Sequence, residues 1–242
     1  MRHLVMTALA LMSISSAHAT SLVFTTESYP PYSYRSLHGE VLGMSVEQVR
    51  EIIRSSDADI SYTIELLPWA RALALAETQP DHCVFLTART PEREAQFQWV
   101  SPLAVTRNFL VSLEDRDIRA TSLADLRSYT VGTQREDYTE SLLRQNGFQH
   151  LDLSASYDFT LSKLLNGRID LMPMSQTVIE QLKDKGTPVA PVVQLAEQTL
   201  GIACNKAVST QIIASLQTSL DRMLSDGRMS DIARAYGVSR VP

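Results

Sequence analysis

The sequence predicts an α/β fold, on three observations. Short apolar runs that read as strands alternate with stretches whose apolar residues recur at helical spacing. Glycine or proline falls at most of the junctions between them. The length, 242 residues, suits one large or two modest units of this kind. Strand–helix alternation means mainly parallel sheets with helices packed on their faces.

Residues 1–19 read as a secretory signal peptide. Arg2 and His3 form a basic start, residues 4–14 are apolar, and Ala17-His18-Ala19 is a small-residue cleavage site. The apolar run is too short and too interrupted for a spanning helix. No lipobox cysteine follows, so an exported chain without a lipid anchor is expected. Residues 21–26 form the first strand, followed by the extended loop Tyr29-Pro30-Pro31-Tyr32-Ser33-Tyr34. Ser45-x-x-Gln48 has the form of a capping box, and Val46, Val49, Ile52 and Ile53 are the apolar stripe of its helix. Tyr62, Ile64 and Leu66 alternate as a second strand. Pro68 opens a helix at Trp69, and residues 81–86 make a third strand.

The second half repeats this grammar. A strand at 107–113 precedes a short helix capped by Ser122 and a strand-like run at 129–132. Helices over 138–145 and 158–165 stop at Gly147 and Gly167. A strand at 169–172 leads to Ser175, the cap of a helix over 176–183. Two separate strands, 192–195 and 200–204, come before closing helices at 210–224 and 229–236.

Composition removes several classes of function. The formal charge is −5, one unit more negative without Arg2. A mildly acidic surface lacking basic clusters argues against nucleic acid or an anionic membrane as partner. No G-x-S-x-G elbow, P-loop or G-x-G-x-x-G occurs. None of the five histidines lies beside a plausible nucleophile, and no C-x-x-C or histidine cluster signals zinc or haem. Neither a metal nor another cofactor is expected. Cys83 and Cys204 both sit in apolar strand-like runs. Buried free thiols are the leading expectation, with a disulfide, open to an exported protein, as the alternative.

The chemistry concentrates at Phe85-Leu86-Thr87-Ala88-Arg89-Thr90-Pro91-Glu92-Arg93. A strand ends there, and Thr90 before Pro91 reads as an N-cap with proline at the first helical position. Ligands bind beyond the carboxyl ends of strands in α/β sheets. A helix N-terminus favours anions, so a guanidinium beside it makes a carboxylate clamp. Arg93 is therefore either the anchor for a small anionic group or a surface arginine paired with Glu92 or Glu94.

Taken in order, Tyr29-Pro30-Pro31-Tyr32, Gly39-Glu40-Val41-Leu42-Gly43, Thr90-Pro91-Glu92-Arg93, Ser101-Pro102 and Asn166-Gly167-Arg168-Ile169-Asp170 form an ordered set. With the tail Asp226-Gly227-Arg228-Met229, Ile232 and Ala235-Tyr236-Gly237, the set resembles the family 3 solute-binding proteins of polar amino acid ABC importers. The resemblance covers essentially the whole chain after residue 19. It implies a type II periplasmic-binding-protein-like fold, in which two α/β lobes joined by two hinge strands close over a ligand cleft. The first lobe would hold residues 20–106 and the return segment 199–242, and the second residues 107–198. Hinge strands would lie near 104–107 and 196–199. The topology would set the return strand beside residues 81–86, making Cys83 and Cys204 neighbours. A monomeric periplasmic receptor is implied, serving an ABC permease in the inner membrane.

The resemblance also assigns roles. Arg93 would pair with the ligand carboxylate, Tyr29 would stack on the ligand and Tyr32 would help wall the site. Trp69 and Arg71 would begin a helix facing the same cleft, although Trp69 reads equally as a core aromatic. The sequence departs from the family at three places. Ala88 stands where a small hydroxyl residue is usual, Arg135-Glu136-Asp137-Tyr138 replaces a Gly-Ser or Gly-Thr, and Ser175 replaces the aspartate that receives the ligand ammonium. A buried ammonium left unpaired costs several kcal/mol, so Glu136 or Asp137 would have to supply its partner, unless they only cap a helix. Two other roles fit such a scaffold. One is a ligand sensor read by a partner other than a permease; the other is a dehydratase whose general acid would be Glu27, Glu136 or Asp137.

Overall fold

The computed structural model describes residues 20–238; the signal-peptide reading of residues 1–19 lies outside them. The first half contains β1 (Thr20–Thr26), β2 (Tyr34–Arg35), β3 (Val41–Leu42), α1 (Met44–Arg54), β4 (Ile60–Leu66), α2 (Trp69–Thr78), β5 (His82–Ala88) and α3 (Pro91–Glu94). The long strand β6 (Gln98–Leu113) leads to β7 (Val131–Gln134), α4 (Tyr138–Gln145), β8 (Leu151–Ser154), α5 (Tyr157–Leu165), β9 (Met172–Ser175) and α6 (Gln176–Asp184). A second long strand, β10 (Val189–Cys204), precedes α7 (Thr210–Ser225) and α8 (Arg228–Ala235).

Six strands form one sheet in the order β4-β1-β5-β10-β6-β9. β1 pairs in parallel with β4 and β5, as strand–helix alternation requires. β10 lies antiparallel to β5 and then continues antiparallel along β6 for the whole of its length. The expected strands at 192–195 and 200–204 are thus one 16-residue strand. β6 likewise absorbs 107–113 into a 16-residue strand. Together they make a ribbon shared by two α/β lobes. Residues 105–108 pair with 196–199 midway along it. In the second lobe β7 and β8 pair in parallel, and a single bridge from Val131 to Leu171 joins them to the chain before β9.

Helices cover both faces of the first lobe's sheet. Val46, Val49 and Ile52 of α1 pack with Phe24, Phe85 and Leu216 on one side. On the other, Trp69 and Leu73 of α2 pack with Val84 and Phe97. The second lobe buries Leu110, Leu126, Val131, Leu143 and Leu171 in its own core. One cluster crosses between lobes, setting Tyr32 and Met44 against Met174 and Val178. Burial of this kind, at about 25 cal/mol per Å² of apolar surface, supplies the main drive for folding and for closing the lobes.

Three local expectations are corrected. The capping box at Ser45 does not form: α1 starts two residues earlier, with Gly43 as its N-cap, and Ser45 is inside the helix. Its first amides donate instead to the Pro31 and Tyr32 carbonyls, at 2.9 Å each. Gly43 has φ 130°, and a Cβ there would stand 2.4 Å from the Tyr32 carbonyl oxygen, so the proline loop is seated on a glycine. The strand expected at 169–172 begins only at Met172. The cysteines are not free thiols. Cys83 and Cys204 are cross-strand partners of β5 and β10 and form a disulfide.

Candidate functional site

Parallel strands bring their carboxyl ends to the space between the lobes, which is where the chain places its chemistry. Glu27 follows β1, Trp69 starts the helix after β4, and Ala88 ends β5. From the facing lobe, Gln134 ends β7, while Tyr138 and Tyr157 are the first residues of α4 and α5. These residues, with Tyr29, Tyr32, Thr106, Asn108, Asp137 and Ser175, line a cavity of ≈ 80 Å³. That is room for several waters or a small solute.

The lobes meet across this cavity through named bonds. Tyr29 donates its hydroxyl proton to Ser175 Oγ at 3.2 Å, and the Ser175 amide donates back to the Tyr29 oxygen at 3.0 Å. Gln134 Nε2 donates to Glu27 Oε2. The Glu136 carbonyl accepts from both Trp69 Nε1, at 2.9 Å, and Arg93 Nη2, at 2.6 Å. Glu136 reaches that position in the left-handed region, at φ 61°. Leu86, on the opposite wall, has φ 60°. It is the extra residue where the β5–β10 register shifts between Gly201 and Ile202, a bulge that turns its side chain into the cavity lining. Two bulky residues held at positive φ on facing walls are the kind of backbone strain that collects at binding sites.

Arg93 is not a surface arginine. It is 9 % exposed and lies over the Trp69 ring, 5.6 Å from the centroid. Burial lowers its affinity for its proton, opposed by the negative charges of Asp137, Glu77 and Glu136. The surface pairing expected of it belongs to its neighbour: Arg89 clamps Glu94 through two bonds of 2.7 and 2.6 Å. The helix behind Arg93 is a single turn, too short to supply the anion-binding dipole that the sequence suggested.

Among the other sequence-predicted residues, Tyr29, Tyr32, Trp69, Ala88, Asp137 and Ser175 all line the cavity. Tyr29 stacks on Tyr32 at 5.7 Å and meets Tyr157 edge-on at 4.8 Å. Trp69 is both things proposed for it, a core aromatic by its ring and a cleft residue by its N–H. Asp137 also has two roles. Its Oδ1 caps α4 by accepting from the Thr139 amide at 2.9 Å, and the residue lines the cavity. Ser175 is occupied, capping α6 and holding Tyr29. Two expectations fail on geometry. Arg71 is exposed and lines no part of the cavity, because it sits two residues past Trp69 on α2 and so points away from it. Glu136 contributes its carbonyl, while its side chain is exposed.

Glu27 is the dominant electrostatic feature. Burial, then repulsion from Asp137 and Asp158, pushes its carboxyl up to about 8 against the bond from Gln134. Burial likewise holds the Tyr29, Tyr32, Tyr138 and Tyr157 hydroxyls in their neutral form. Gln134 and Tyr157 did not stand out in the sequence, Tyr138 appeared only as part of a departure from the family, and Glu27 only as a possible general acid. The signal that could have found them is their shared position, at the carboxyl end of a parallel strand or within four residues past it. Among the described residues no group of His, Cys, Asp and Glu is arranged to hold a metal ion, and no helix is long and apolar enough to cross a membrane.

The sequence matches the bacterial extracellular solute-binding proteins, family 3, over residues 22–239. The chain belongs to that family. Solved structures share its fold at low identity. A histidine kinase sensor domain with similarity to periplasmic binding proteins aligns with TM-score 0.83 at 19 % identity, over 93 % of this chain and 99 % of the other. The arginine-, lysine-, histidine-binding protein ArtJ from Geobacillus stearothermophilus aligns with TM-score 0.80 at 16 % identity, over 92 % and 96 %. An ancestral amino acid-binding protein, a precursor of cyclohexadienyl dehydratase, aligns with TM-score 0.75 at 17 % identity, over 90 % and 95 %. The periplasmic-binding-protein fold expected from the sequence is the fold observed. Proteins described as binding amino acids are similar to this family 3 member along nearly all of its length.

Proposed function

We propose that this family 3 protein is an exported receptor that captures a small polar ligand, an amino acid or related carboxylate, by closing its two lobes. Residues 1–19 act as its signal peptide in this reading, residues 20–106 and 199–242 form the first lobe, and residues 107–198 form the second. The observation that carries it is the cavity between the carboxyl ends of both sets of parallel strands, crossed by bonds from each lobe to the other. Tyr29, Tyr32 and Trp69 wall the ligand. Arg93 takes a ligand carboxylate by exchanging it for the Glu136 carbonyl, a stronger, charge-assisted partner. Delivery to an ABC permease is the expected use of the closed form, and the similarity to amino acid-binding proteins supports it.

A thermal-shift screen of the purified protein against amino acids, opines, polyamines and small organic acids tests this. A ligand that binds only the folded form must raise the melting temperature, so a hit gives the ligand class and a silent screen counts against the receptor. A second reading is a sensor that reports the closed state to a signalling partner, favoured by the similarity to a kinase sensor domain. Co-purification with a permease or with a kinase separates the two. A dehydratase reading draws on a carboxylic acid held neutral near pH 7 at Glu27. Absence of turnover with arogenate and prephenate would remove it.

A further inference from the structure

Arg93 carries a full charge into a buried place, and the oxygens bonded to it are peptide carbonyls. Its Nη2 donates to the Glu136 carbonyl at 2.6 Å, and its Nη1 reaches the Ala88 carbonyl only at 3.5 Å. Trp69 Nε1 donates to the same Glu136 oxygen at 2.9 Å. Two donors of the first lobe, a guanidinium and the indole it lies over, thus converge on one oxygen brought by the second lobe. Converging N–H groups, one of them charged, make a socket for an oxyanion. Here a neutral oxygen of the chain itself fills it.

The second lobe presents that oxygen through bonds of its own. The Arg135 amide donates to the Ser154 carbonyl at 3.1 Å, and the Glu136 amide to Glu140 Oε2 at 3.2 Å. The Asp137 amide donates to the Gln134 carbonyl at 3.3 Å, and its side chain caps α4. Held on both sides, Glu136 sits at φ 61°, a conformation disfavoured about five- to thirtyfold for a residue with a Cβ. Its side chain is exposed, so the strain serves the direction of the carbonyl and not the placing of the carboxylate. Strain kept in place by its surroundings marks a position with a task.

We propose that Glu136 is a built-in surrogate for the ligand's carboxylate: its carbonyl fills the Arg93–Trp69 socket, latches the lobes, and must be expelled before a ligand can use Arg93. Only the word ligand rests on the receptor reading; the latch is a property of the chain. Two consequences follow. The lobes favour the closed form with no solute between them, and each ligand's affinity is reduced by whatever the latch contributes to closure. Glu136 also becomes a specificity-determining residue. A carboxamide offers Arg93 an oxygen no better than the one it replaces, whereas a carboxylate adds charge assistance.

Glu136→Gly, Glu136→Asn and Glu136→Val keep the carbonyl in the chain and change how readily residue 136 holds a positive φ. Single-molecule energy transfer between dyes on the two lobes reads closed against open. The protein is refolded from urea, with native mass spectrometry showing that no solute is bound. Wild type and the glycine and asparagine variants should be mainly closed. Glu136→Val should lower the ratio of closed to open by about ten- to a hundredfold, the net worth of a hydrogen bond to a charged group. Arg93→Met removes the other partner and should lower the ratio too, which decides the matter if the valine variant does not fold. A mainly open wild type, or a ratio indifferent to both substitutions, would overturn the latch. Thermal shifts with the common L-amino acids, each beside its α-carboxamide, test the surrogate. Wild type should respond to acids alone, and Glu136→Val to acids and carboxamides. Carboxamides that match their acids in the wild type would remove the surrogate role and leave the receptor standing. Silence from every compound would count against the receptor, with the energy transfer still deciding the latch.

Discussion

Trp69→Phe separates what a side chain does within its own lobe from what it does across the cleft. The indole ring is 3 % exposed and packs with Leu73, Val84 and Phe97, all in the first lobe. Those contacts persist whether the lobes are open or closed. Shrinking the ring should cost about 1 kcal/mol of folding stability, at the low end for loss of buried volume, because phenylalanine keeps most of the apolar area. The N–H is different, since its acceptor, the Glu136 carbonyl at 2.9 Å, belongs to the other lobe. Arg93 still satisfies that carbonyl, so no buried acceptor is orphaned. The loss is then that of one neutral hydrogen bond, about 0.5–1.5 kcal/mol. It falls wholly on the closed state and should move the ratio of closed to open by about two- to tenfold. Scattering or an interlobe distance measured by fluorescence reads that ratio, and urea unfolding reads the other component. A variant that loses folding stability yet keeps the wild-type ratio would show that the bond does not hold the lobes together.

Other consequences follow from the same geometry. Arg93→Ala should weaken binding of a carboxylate-bearing ligand by about 2–5 kcal/mol, the cost of removing one partner of a buried charge pair; calorimetry giving an unchanged dissociation constant would take Arg93 out of the site. Cys83→Ala with Cys204→Ala, or reduction of the wild type, opens a loop spanning 121 residues. It should cost about 2–5 kcal/mol, read as a lower melting temperature; equal melts with and without reductant would contradict it. Glu27 carries a raised carboxyl, so its contribution to closed-form stability is complete below about pH 4.5 and is lost as pH rises toward 8. Glu27→Gln should therefore gain on the wild type across that window, by roughly 1.4 kcal/mol per pH unit at most. Parallel melting curves against pH for the two proteins would refute the burial of Glu27.

The sequence by itself determined the alternation of strands and helices, the glycine stops at Gly147 and Gly167, and the caps at Ser122 and Ser175, because each depends on neighbours a few residues away. The ordered motifs also singled out Tyr29 and Trp69, which line the cavity, and Arg93, which lies over the Trp69 ring. Tertiary structure decided everything that depends on which segments meet. Ser45 looked like a cap, but the Pro31 and Tyr32 carbonyls arrive from a folded-back loop and take its role. The local sequence favoured buried thiols for the two cysteines, the family topology implied neighbours, and only β10 laid beside β5 makes them a disulfide. Arg71 and Glu136 had the right chemistry at the wrong angle, since helix phase turns Arg71 outward and φ 61° turns the Glu136 carbonyl, not its carboxylate, into the cleft. Most of all, the weight of Glu27 was invisible locally. A carboxyl's charge state depends on the water it loses and the acid that faces it, and both come from a lobe encoded more than a hundred residues further along the chain.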